Sequence, residues 1–172
     1  MLFEGIYYGH SMDTAYIFSI LQELVFILVV FGFFLGWAIV RGRQSVINII
    51  FGLYLALLIS LEFPYYDTFL PNGASEHSLA VGKLVIFAIF TTITTILVAR
   101  VMPSPFKEKK FESFFKKLLL ALGGTILIMV YSFHVLPVTE FVTPGTPIAS
   151  LFAPEQWFFW WLLLPMVFLY IN

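Results

Sequence analysis

A long, predominantly apolar run from Tyr16 to Val40, closed by Arg41-Gly42-Arg43, constrains this chain more than any other feature. At 1.5 Å per residue it reaches about 37 Å, more than the about 30 Å of a bilayer's hydrocarbon core. It carries Gly32 and Gly36, a G-x-x-x-G pair of the kind that lets a second helix approach closely. The arginines that follow pin one end of the run to one side of a membrane.

Further apolar runs follow, so the chain reads as a polytopic membrane protein. It has 172 residues, of which 60% are hydrophobic and 11% charged, with a mean hydropathy of +0.97. Soluble domains are nearer half apolar and a quarter charged. There is no cysteine, which excludes disulfides, thiol nucleophiles and cysteine metal sites. The opening Met1-Leu2-Phe3-Glu4-Gly5 lacks the basic n-region of a signal peptide. The expected fold is an all-α integral membrane bundle of four to five transmembrane helices, residues 1–172 forming one domain, because open sheets leave backbone groups unsatisfied in lipid.

Residues 1–12 are mixed aromatic and polar and read as an interfacial tail. The first helix is expected over about 14–40, with Asp13 as N-cap. After the Arg41-Gly42-Arg43 turn the second runs over 45–63, with Ser45 as N-cap and Pro64 as its stop. Its Gly52, Ala56 and Ser60 form a small-residue stripe, and the Gly32/Gly36 face is its expected partner in an antiparallel hairpin. Residues 65–77 form a loop with a turn at Pro71-Asn72-Gly73. The third helix spans 78–102 and ends before Pro103 and Pro105. Residues 106–117 (FKEKKFESFFKK) read as a basic interfacial linker suited to anionic lipid. A fourth helix covers 118–136, with Gly123 and Gly124 near its start, and a Pro/Gly-rich loop follows it. The last segment, 154–171, is barely long enough to cross, at about 27 Å. Crossing and re-entrant readings both stand. Trp157, Trp160 and Trp161 suit an aromatic belt at its outer end.

Eight of the nine basic residues gather at one face: Arg41, Arg43, Arg100, Lys107, Lys109, Lys110, Lys116 and Lys117. The opposite face holds Glu4, Asp13, Glu62, Asp67, Glu76, Glu140 and Glu155. The basic loops 41–44 and 103–117 are therefore expected in the cytoplasm and the N-terminus outside.

Ionisable groups at membrane depth are costly and usually functional. Glu23 in the first helix and Lys83 in the third belong to the outer leaflet, and Glu62 and His134 close the second and fourth helices on that side. Glu23 and Lys83 form a pair across helices in one reading. In the other, Lys83 snorkels and Glu23 faces water. Thr91, Thr92, Thr94 and Thr95 either line a polar path or bond back to the preceding turn and pack closely. Gln44 and Asn48 invite the same two readings. No H-E-x-x-H, P-loop or G-x-S-x-G occurs. Gly9-His10-Ser11-Met12-Asp13 holds triad residue types, but crowded on one segment. Asp67, Glu76 and His77 lack metal-ligand spacing. No catalytic, cofactor or metal site is expected, and no nucleic-acid partner.

From Ile17 to Leu136 the chain resembles the CvpA-like (colicin V production) family of bacterial inner-membrane proteins. The likeness rests on the glycine-rich first helix running into Arg41-Gly42, on Gly52/Ala56, on Pro64-Tyr65-Tyr66 and on Gly123-Gly124. It implies a bacterial cytoplasmic membrane protein linked to export of a small protein toxin and to envelope robustness, without catalytic residues. The final Trp-rich segment departs from that family's more polar tail. Two functional classes follow. One is a non-enzymatic accessory or scaffold in export or envelope maintenance that works with a membrane-protein partner, whereas a homo-oligomer would favour the other class. The other is a small transporter or channel subunit using Glu23, Lys83, Glu62 and His134.

Overall fold

The computed structural model describes residues 12–70, 76–102, 114–134 and 147–172. Their helices are α1 (Met12–Arg41), α2 (Arg43–Leu61), α3 (Tyr66–Phe69), α4 (Glu76–Val101), α5 (Phe114–His134), α6 (Pro147–Phe152) and α7 (Glu155–Ile171). No strand occurs among the described residues. A helix bonds its interior backbone groups within its own segment, the condition hydrocarbon imposes, and among the described helices α7 departs from this at Pro165. α1, α2, α4 and α5 are each long and apolar enough to cross a membrane, and the chain is a multi-pass membrane protein.

The α1–α2 reversal takes a single residue. Gly42 sits at φ 87°, ψ 165°, a region essentially restricted to glycine. It stands where Ser45 was expected to cap: α2 begins at Arg43, and the Ser45 hydroxyl instead accepts from Trp37 Nε1 at 2.9 Å. Pro64 follows the end of α2, and the chain folds back through α3. There Phe63 meets Tyr65, Tyr66, Phe69 and Phe90, and the Ser60 and Tyr66 hydroxyls lie 2.6 Å apart. Residues 65–70, read as loop, thus hold a helical turn. Phe114–Lys117, read as linker, are the first turn of α5; the rest of the basic linker, 106–113, lies outside the described residues.

α5 is the centre of the bundle. α1, α2 and α7 all pack on it, while α4 packs on α2. α1 buries Ser19, Glu23, Phe34 and Ala38, positions that recur along one helical face, against this interior. The two adjacent glycines of α5 serve different neighbours. A Cβ at Gly124 would come within 2.7 Å of the Phe34 ring of α1. A Cβ at Gly123 would meet Phe168 and Pro165 of α7 at ordinary contact, 3.4 to 3.6 Å.

The α1–α2 hairpin through Gly32, Gly36, Gly52 and Ala56 does not form. A Cβ at Gly32 or Gly36 would meet nothing within 4 Å, because both lie on the side of α1 turned away from the Phe34 face. Gly52 meets α4 instead: a Cβ there would collide with Thr95, whose Cα would be 2.9 Å away. Thr94 Oγ1 lies 2.8 Å from the Gly52 carbonyl and 2.7 Å from the Phe90 carbonyl and shares its proton between them. Such a bond contributes on average about 0.6 kcal/mol in a membrane. Forcing a side chain into packed helices costs about 1–3 kcal/mol or more, so close approach outweighs the hydrogen bond here.

α7 is tied to the bundle at two levels. At one, Trp161 Nε1 donates to the Leu151 carbonyl of α6 at 2.9 Å. At the other, Arg43 Nη1 donates to the Asn172 carbonyl at 2.8 Å. Its 17 residues cover about 25 Å. Pro165 lies buried inside it and has no N–H for the Trp161 carbonyl. At this weakened turn the Tyr54 hydroxyl of α2 donates to the Leu162 carbonyl.

Gly52→Leu is expected to abolish the folded bundle, whereas Gly32→Leu combined with Gly36→Leu leaves thermal unfolding in detergent unchanged. Gly42→Ala is expected to cost about 1–3 kcal/mol in the same assay through backbone strain alone.

Candidate functional site

Glu23 lies in the α1 seam and is 5% exposed. Eleven residues separate it from Phe34, about 16 Å along α1. α5 runs antiparallel, and ten residues, about 15 Å, separate Gly124 from His134. With Phe34 against Gly124, Glu23 and His134 therefore stand at a similar height, the end of the bundle away from the arginines. Ser19, one turn earlier on α1, is also buried, and both it and Glu23 are engaged by neighbours.

The other ionisable groups do not converge on Glu23. Lys83 is exposed on α4, a helix that packs on α2 and not against α1. No ion pair joins Lys83 to Glu23, so the cross-helix pair is absent. Glu62 is exposed just beyond α2. His134 Nε2 lies 2.7 Å from the Phe152 carbonyl, and its ring centroid is 4.6 Å from that of Phe158. It thereby holds the α6–α7 corner on the end of α5. A similar height does not make these four residues one site, because Lys83 and Glu62 are exposed and His134 is held by the Phe152 carbonyl and the Phe158 ring.

The threonines give no polar route either. Thr91 Oγ1 donates to the Phe87 carbonyl at 2.9 Å and Thr92 Oγ1 to the Ala88 carbonyl at 2.8 Å. Thr95 Oγ1 is buried over Gly52 and makes no hydrogen bond. Gln44 Nε2 donates to Asn48 Oδ1 at 3.2 Å within α2. Apart from that of Thr95, each hydroxyl or amide serves a neighbouring backbone or its own helix, which is how a span hides polar atoms from lipid. Among the described residues no group of three or more His, Cys, Asp or Glu could hold a metal ion. Residues 9–11 of the triad-like segment lie outside the described residues, as do the side chains of Asp67 and Glu76.

Two features escaped the sequence reading. Tyr131 is wholly buried at the centre of the bundle, its ring 5.7 Å from Phe87 and its hydroxyl without a hydrogen bond. An apolar groove of about 610 Å³ also opens between α1 and α4. Its only early signal was the apolar character of Val29, Phe33 and Ile96, which looks the same for a groove wall and a plain lipid-facing surface.

Comparison with protein-family models, with curated proteins and with solved structures gave no match.

Removing the Tyr54 hydroxyl (Tyr54→Phe) is expected to destabilise the bundle by about 1 kcal/mol, since the Leu162 carbonyl loses its donor. Lys83→Met is expected to leave the unfolding temperature in detergent where it is.

Proposed function

We propose that the chain is a non-enzymatic accessory or scaffold of the bacterial cytoplasmic membrane, serving export or envelope maintenance as the CvpA-like resemblance implies. One observation carries this reading. The outer face of α1 offers Gly32 and Gly36 with open space above them, while the close-packed glycines Gly52 and Gly124 are already used inside the bundle. A G-x-x-x-G left open on a lipid-facing helix suits the close approach of another transmembrane helix. The exposed Leu28, Val29 and Val40 near it give that contact an apolar surround. The basic end, with Arg41, Arg43 and Arg100, faces the cytoplasm under the positive-inside rule. In the same orientation the basic stretch 106–117 meets anionic headgroups. A transport role has no comparable support, because Glu23, Lys83, Glu62 and His134 do not line a common route.

The test is native mass spectrometry of the tagged chain, extracted gently from its own membrane. The wild type is expected with another membrane protein bound. The Gly32→Leu/Gly36→Leu chain is expected alone, at the same level in the membrane. Retention of the partner by the double variant, or a wild type seen solely as a homo-oligomer, would overturn the reading.

A further inference from the structure

α1 and α4 stand on opposite flanks of the α2–α5 pair and are not packed against each other, which leaves the groove of about 610 Å³ between them. Val29, Phe33 and Trp37 of α1 form one wall, Thr92 and Ile96 of α4 the other, and Leu53 of α2 lies in the floor. The accessible polar atoms of the walls are already committed, and Thr95 Oγ1, which makes no hydrogen bond, is buried over Gly52. Thr92 Oγ1 donates to the Ala88 carbonyl and Trp37 Nε1 to the Ser45 hydroxyl. The walls therefore offer an occupant dispersion contacts and no hydrogen bond. Both wall helices span the membrane, so the groove opens into hydrocarbon. A void there forfeits contacts on every lining atom, and a lipid chain is the material at hand to fill it.

The basic end of the groove says which lipid. Arg41 lies one turn beyond Trp37, with its guanidinium carbon 5.7 Å from the centroid of the Trp37 ring. Arg100 lies one turn beyond Ile96 on the opposite wall. Both arginines are exposed, and neither pairs with a carboxylate among the described residues. The nearby Arg43 is already turned to the Asn172 carbonyl. Each apolar wall thus ends in a guanidinium at the basic end, with no acid between them among the described residues. Guanidinium groups bind phosphate through paired, charge-assisted hydrogen bonds.

We propose that the α1–α4 groove is a binding site for one anionic phospholipid from the leaflet at the basic end. An acyl chain lies between Phe33 and Ile96, and the phosphate sits between Arg41 and Arg100. The site borders the Gly32/Gly36 face, which lies further round α1, with Val29 at the boundary.

The test is a lipid titration of the purified full-length chain, followed by native mass spectrometry. Phosphatidylglycerol is compared with phosphatidylcholine carrying the same acyl chains. The wild type is expected to retain one phosphatidylglycerol with about 30-fold preference, as two surface arginines acting on a net negative headgroup would give. Arg41→Gln with Arg100→Gln removes that preference while chain binding persists. Ile96→Trp, at an exposed position, fills the groove and weakens both lipids alike. Thermal unfolding confirms that each variant is folded. Equal retention of the two lipids by the wild type would overturn the proposal. So would a phosphatidylglycerol preference that survives the double arginine substitution, which would move the site to the basic stretch 106–117.

Discussion

The bundle depends on how closely α1 reaches the backbone of α5 at Gly124. In lipid there is little hydrophobic drive to bring helices together, since the acyl chains are as apolar as leucine. Contact density has to supply the attraction, and the absence of a Cβ is what lets contacts become dense. At Gly124 the Phe34 ring fills the space a side chain would need, and at Gly123 Pro165 and Phe168 of α7 lie against the helix at ordinary contact. With these seams in place α5 has a helix on either side and becomes the best-buried span. α2 then carries α4 on its other flank through the Gly52–Thr94–Thr95 contact.

That arrangement leaves α1 and α4 as lipid-facing flanks, and the functional surfaces lie on them. The outer face of α1 keeps its glycines uncovered. The gap between α1 and α4 becomes a groove whose walls both run down to an arginine. The polar side chains that a transport pathway would need are spent holding the bundle together: Thr94 on Gly52, His134 on the α6–α7 corner and Tyr54 on the proline turn of α7. Glu23 alone among the intramembrane acids is buried, and it sits in the α1 seam near the end of the bundle, away from the exposed Lys83.

What the sequence revealed was local. Run length and hydropathy gave the spanning helices, Gly42 between two arginines marked the reversal, and Pro64 marked the stop of α2. What it concealed was pairing. Sequence neighbours α1 and α2 looked like partners because both carry small-residue stripes, yet Phe34 meets Gly124 and Gly52 meets Thr95. Nothing in a stripe of glycines states which distant helix will cover it, or whether any will. The same limit hid the fate of the four ionisable groups: depth can be counted along a helix, but the direction a side chain faces depends on which neighbour claims that side. α3 and α6 were read as loop because each is a short helix flanked by prolines and turn residues.

The seating of the Phe34 face of α1 on Gly124 of α5, and not of Gly36 on Gly52 of α2, is tested most directly by cross-linking in the native membrane. The chain contains no cysteine, so introduced pairs report without background. Under mild oxidation, cysteines at Phe34 and Gly124 are predicted to join readily, and cysteines at Gly36 and Gly52 to remain apart. Efficient joining of the Gly36–Gly52 pair with no product from the Phe34–Gly124 pair would contradict the architecture and everything derived from it.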